Sequence, residues 1–68
     1  MKNWIAEVVG AMHINKITNK DVAAKMHVTP EYVSMLLNEK KVTKTAEQDV
    51  RAAIDAILSD RKNSVAEQ

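Results

Sequence analysis

The chain is 68 residues long, with 46% hydrophobic residues and a formal net charge of +1. That length admits one small domain, below the size at which a single core stabilises generously. The absence of cysteine excludes disulfide frameworks and thiolate metal sites; no apolar run nears the ~20 residues of a membrane span and the amino end lacks a signal core, so a cytoplasmic protein is expected.

With one Trp, one Tyr and no Phe, the core has to come from Val, Ile, Leu, Met and Ala, which recur here at the helical period of about 3.6 residues. A single Gly and a single Pro argue against a many-stranded β architecture with frequent tight turns. The expected fold class is all-α.

Helix one is predicted from Asn3, a candidate N-cap, to about His13, with Trp4, Ile5, Val8, Val9 and Met12 in one apolar stripe and Trp4 in the core. Gly10 inside it costs about 1 kcal/mol relative to Ala. The reading favoured is a neighbouring helix packed close at that point; the other is a helix that frays beyond it.

Helix two is short, about Asn19 to Met26. Thr18 followed by Asp21 matches a capping box with the shorter acid, and Val22, Ala23 and Met26 supply the buried stripe. Helix three follows at once: Thr29 caps, Pro30 suits the first helical position, and Glu31 complements the positive end of the dipole. Val33, Leu36 and Leu37 form its inner face. At about 100° per residue, Glu31, Met35 and Asn38 point the opposite way, with Pro30, Ser34 and Tyr32 on the flanks. A loop of Glu39-Lys40-Lys41-Val42-Thr43 leads to a last helix, where Thr45 and Gln48 match a capping box and Ala46, Val50, Ala53, Ile54, Ile57 and Leu58 form a stripe to about Asp60. The tail, residues 61–68, is polar and expected to fray.

Charge is distributed unevenly along this order. From His13 to Thr45 six lysines face three acids, whereas from Ala46 to Gln68 three basic residues face five acids. The middle is basic and the end acidic, a polarity that suits a polyanionic partner for the middle.

The joint between helices two and three is the most informative stretch. Two short helices linked by about three residues, the second with a polar outer face, describe a helix-turn-helix. Its turn needs a residue with φ > 0, and His27 stands there in place of Gly; His is among the non-Gly residues that tolerate this region.

In "DVAAKMHVTPEYVSMLLNEKK" the sequence resembles the lambda-repressor-like (Cro and phage-repressor type) helix-turn-helix family. Ala23 is the small residue where the helices cross, Val28 the buried turn residue, Val33 the anchor of the recognition helix, and "LNEK" stands where the family often has Asn-Gly-Lys. The resemblance implies a compact four- to five-helix DNA-binding domain over residues 1–60, with the helix-turn-helix at about 18–38. It implies a phosphate contact at Asn19, base-edge contacts at Pro30, Glu31 and Met35, and backbone contacts at Asn38, Lys40, Lys41 and Lys44. Two positions depart from the family pattern, His27 at the turn and Glu39 at the helix exit, both usually glycine.

DNA binding needs cations and donors that neutralise phosphates, and side chains that discriminate base edges. Lys20, Lys40, Lys41 and Lys44 serve the first need, or decorate a solvated surface. Tyr32 and Ser34 join Pro30, Glu31 and Met35 as candidate base contacts. Each has a bland counterpart: Glu31 accepts from a cytosine amine or only steadies the helix start, and Tyr32 lies along the groove or is a half-buried ring propped on helix two. Asn38 touches the sugar-phosphate chain or merely closes its helix. His13 and His27 lack a second ligand or a nucleophile at useful spacing, so neither enzyme activity, metal nor cofactor is expected.

The function expected is a sequence-specific double-stranded DNA-binding transcription regulator, a phage-type repressor or Cro-like switch. It would act as a homodimer on a palindromic operator with reading heads about 34 Å apart. The rival expectation is a helical protein-interaction module on the same scaffold that never touches DNA.

Overall fold

Four α-helices follow one another in the computed structural model, which describes the backbone of residues 2–66 and the side chains of residues 2–62. They are α1 (Asn3–Ile14), α2 (Asn19–Met26), α3 (Pro30–Leu37) and α4 (Ala46–Ala66). No strand occurs among the described residues, so the all-α class holds with the lower helix count. α4 packs across α1 and α2, and α3 packs against α2.

α1 buries Ile5, Val8 and Met12, a stripe narrower than the sequence suggests. Val9 lies one residue round from Val8 and is 40% exposed, while Trp4 is half-buried against the core. The cap differs from the expected one. Lys2, not Asn3, precedes the helix, because its carbonyl already accepts from the amides of Ile5 and Ala6 at 3.1 and 3.2 Å; its side chain makes no capping bond. Asn3 is thereby the first helical residue.

Gly10 answers to neither expectation. A Cβ placed there would meet nothing within 4 Å, so no helix packs close, and α1 continues past it to Ile14 without fraying.

The three short helices leave by one device. In each a residue at the exit adopts the left-handed region: Lys16 at φ 56° and Glu39 at φ 60°, each just after the cap, and His27 at φ 60°, which is itself the cap of α2. The amide one residue further on then reaches back across the last turn, Ile17 to Met12 at 2.8 Å, Val28 to Ala23 at 3.0 Å and Lys40 to Met35 at 2.9 Å. These bonds satisfy carbonyls that a helix end leaves orphaned, in the manner of a Schellman exit. Glycine would take all three positions without a Cβ penalty.

α4 is the longest element at 21 residues and buries Ala46, Val50, Ala53, Ile54 and Ile57. It does not stop at Asp60 as expected, and the tail from Arg61 is not irregular: helix continues to Ala66, leaving residues 67 and 68 outside the described part. Long-range ties account for the extension. Lys25 of α2 pairs with Asp60, and the Arg61 guanidinium donates to the carbonyls of Asn15 and Lys16 at the α1 exit. Near the other end, Arg51 donates to Glu7 of α1 at 2.6 Å and to Glu47 at 2.9 Å. The expected Thr45–Gln48 box is replaced by the Thr45 hydroxyl donating to the Asp49 carboxylate at 2.9 Å, one residue further on.

Fourteen apolar side chains drawn from all four helices and the α1–α2 corner form one core, and no polar or charged side chain is buried among the described residues. The fold therefore rests on apolar burial, with its charges at the rim.

Candidate nucleic-acid interface

Each helix of the α2–α3 pair starts on its own side-chain cap, and His27 turns the chain between them. At the start of α2 the Thr18 hydroxyl accepts from the Asp21 amide at 3.1 Å, and the Asp21 carboxylate accepts from the Thr18 amide at 3.0 Å. The Thr18 amide donating to the carboxylate, and after it the Thr18 side chain, hold the Asp21 carboxyl below its ordinary value of 3.8. His27 turns the chain at φ 60°, ψ 41°. Two residues later the Thr29 hydroxyl accepts from the Tyr32 amide at 3.1 Å, and Pro30 opens α3 where no amide hydrogen is needed. Val28, half-buried, packs on the core between the two caps. His27 supplies the left-handed turn in place of Gly, and Thr29 with Pro30 starts the next helix.

α3 is anchored from behind by Val33, Leu36 and Leu37, which are 0%, 2% and 9% exposed. On its other side Pro30, Glu31, Met35 and Asn38 are exposed and Ser34 half-buried. Among the described residues Pro30, Glu31, Met35 and Asn38 face outward, while α3 packs against α2 on the buried side. Tyr32 stands apart from this group. Half-buried against the core, it lines a cleft of about 440 Å³ with Met26, Val28 and the α4 residues Ala52, Ala53 and Ala56.

Asn38 is occupied within its own helix. Its side-chain amide donates to the Ser34 carbonyl at 2.8 Å and to the Ser34 hydroxyl at 3.1 Å, so both amide hydrogens close the helix end. Ser34, accepting there, keeps its own hydroxyl hydrogen to donate outward. The loop beyond is pinned, since the amides of Lys40 and Lys41 both donate to the Met35 carbonyl, at 2.9 and 3.1 Å. Their side chains are exposed, as is Lys44 further along the loop. At the start of α2, Asn19 is half-buried and Lys20 exposed.

The cations fall into two groups. Lys25, Arg51 and Arg61 are engaged where α4 meets α1 and α2. Lys20, Lys40, Lys41 and Lys44 carry no ion pair or side-chain hydrogen bond among the described residues; Lys2, Lys16 and Lys62 are unpaired likewise. Around α3 the chain therefore presents donors and positive charge that its own fold does not use.

Val42 escaped the sequence reading. It is 66% exposed and lines a shallow cleft with Trp4, Lys41 and Lys44. The signal was available: an apolar residue in a loop of otherwise polar residues.

No group of three or more metal-ligating side chains occurs among the described residues, and no described helix is long and apolar enough to cross a membrane. Comparison with known proteins finds no matching family model, no matching curated protein and no matching solved structure.

Proposed function

We propose that the chain is a sequence-specific double-stranded DNA-binding transcription regulator of the lambda-repressor-like helix-turn-helix type, a phage-type repressor or Cro-like switch working in the cytoplasm. α3 enters the major groove, with Pro30, Glu31 and Met35 toward base edges. α2 lies across the groove mouth, offering Asn19 and Lys20 to a phosphate. Lys40, Lys41 and Lys44 neutralise the backbone beyond α3, Ser34 supplies the flank donor, and Asn38 acts by holding Ser34 in place. The observation that carries this reading is the combination of an anchored α3 whose outward side chains stand clear of the chain's own elements and a set of lysines around it with no internal partner.

One reading head spans few base pairs, so a homodimer on a palindromic site, heads about 34 Å apart, follows from the geometry of such motifs. The acidic α4, which phosphates repel, is the self-contact surface consistent with this placement. The test is selection from random duplex DNA followed by salt titration. An enriched inverted repeat, bound with an affinity that falls steeply as salt rises, supports the proposal.

A second reading has its own observation. The open cleft between Tyr32 and the α4 alanines is largely apolar, with Lys25 and Asp49 also in its lining, a shape that suits a partner helix. Recovery of no duplex above background, with salt-insensitive binding to a protein partner, would favour that module over a DNA reader.

A further inference from the structure

Most acids of the chain are engaged internally: Glu7 and Glu47 on Arg51, Asp21 on Thr18, Asp49 on Thr45, and Asp60 on Lys25. Glu31 is not, and neither is Asp55 of α4. Exposed at the second position of α3, Glu31 has no hydrogen bond or ion pair among the described residues. Met35, one helical turn on and 39% exposed, shares its face, and Pro30 precedes it. An unpaired carboxylate thus sits at the amino end of the helix presented to the groove, the end that reaches base edges in such docking.

A carboxylate among phosphates is repelled unless a donor meets it. It can accept but not donate, so at a base pair it rejects the guanine edge, which offers only N7 and O6, and the thymine edge, which offers O4 and a methyl. Two exocyclic amines remain. Adenine N6 lies between two acceptors, its own N7 and thymine O4, whereas cytosine N4 has an acceptor on one side only and a C–H on the other. The cytosine amine therefore meets the least repulsion.

Resting on the reading of α3 as the groove-entering helix, we infer that Glu31 determines base specificity by requiring a cytosine amine at the pair it faces, with Met35 and Pro30 supplying apolar contact to a neighbouring thymine methyl. Glu31 both selects cytosine and penalises a guanine or thymine edge at the position it meets. A chain whose net charge is only +1 gains discrimination this way at the expense of general affinity for DNA.

The test compares wild type with Glu31→Gln on duplexes selected from random sequence, and adds N4-methylcytosine as a probe. That base keeps its one amine hydrogen in the base pair and has none to offer the groove. Wild type is expected to select cytosine at one position of each half-site and to bind at least about fivefold more weakly when that base is replaced or N4-methylated. Glu31→Gln is expected to move the preference to adenine, whose N6 and N7 fit an amide, and to become insensitive to N4-methylation. Its affinity for non-specific duplex should be retained or increased. Should Glu31→Gln keep the wild-type base preference and lose only thermal stability, Glu31 serves the helix start and the inference fails while the DNA reading stands. Should neither protein bind any duplex in a salt-dependent way, both are overturned.

Discussion

The α4 seam and the α3 face of this small domain treat charge in opposite ways. Along the seam Arg51 bridges Glu7 and Glu47, Lys25 pairs with Asp60, and Arg61 closes the exit of α1. Around α3, Lys20, Lys40, Lys41 and Lys44 have no ion pair or side-chain hydrogen bond among the described residues, and neither has Glu31. Both regions rest on the same apolar core, so the difference lies in what the charges are for. The seam charges named serve the fold, whereas these lysines and Glu31 have no such role among the described residues.

Mutations should separate the two. The largest effect belongs to the core beneath both. Leu36, 2% exposed behind the outward face, should cost about 2–5 kcal/mol as Leu36→Ala, a large part of the stability of a domain this size. Denaturant unfolding measures it, and binding should vanish together with the fold. On the α3 side alone, Lys40→Ala and Lys41→Ala should each flatten the dependence of log affinity on log salt by about one unit and leave the Tm unchanged. On the seam the pattern inverts: Arg51→Ala should lower the Tm, by an amount that shrinks with added salt, without altering the salt dependence of DNA binding.

Two local features sharpen the comparison because they belong to neither side. Gly10→Ala should raise stability by about 1 kcal/mol, since the new methyl meets open space and the helix gains propensity. Asp21 has a folded pKa held below its ordinary 3.8 by the Thr18 bonds. Its capping contribution is therefore present above the unfolded value and is lost as pH falls through the lower folded one. Melting curves of wild type and Asp21→Asn should converge in acid and separate toward neutral pH.

These features also mark what the sequence could disclose. The capping box at Thr18, the Thr29–Pro30 start and the left-handed His27 all follow from residues three or four apart, where chemistry and spacing are read together. The outward group on α3 follows from the same periodicity. What escaped depends on distant chain. Arg61 meets Asn15 across 46 positions, so the extension of α4 past Asp60 has no local signature, and neither does Lys16 as the exit of α1. Tyr32 sits on the flank of α3, where periodicity leaves a groove contact and a half-buried ring equally open; that it lines a cleft with α4 residues depends on chain further along. Gly10 misled in another way, since glycine in a helix signals close packing only when a neighbour is present.

The central claim is that the outward side of α3 and the lysines flanking it are the surface that meets DNA. Amide and side-chain NMR shifts recorded while a selected duplex is added to the intact chain test it most directly. The shifts are expected to concentrate on residues 29–35, Lys40, Lys41, Lys44 and the start of α2, fading as salt is raised. Shifts centred instead on the cleft between Tyr32 and Ala56, or spread evenly with α3 unmoved, would contradict it.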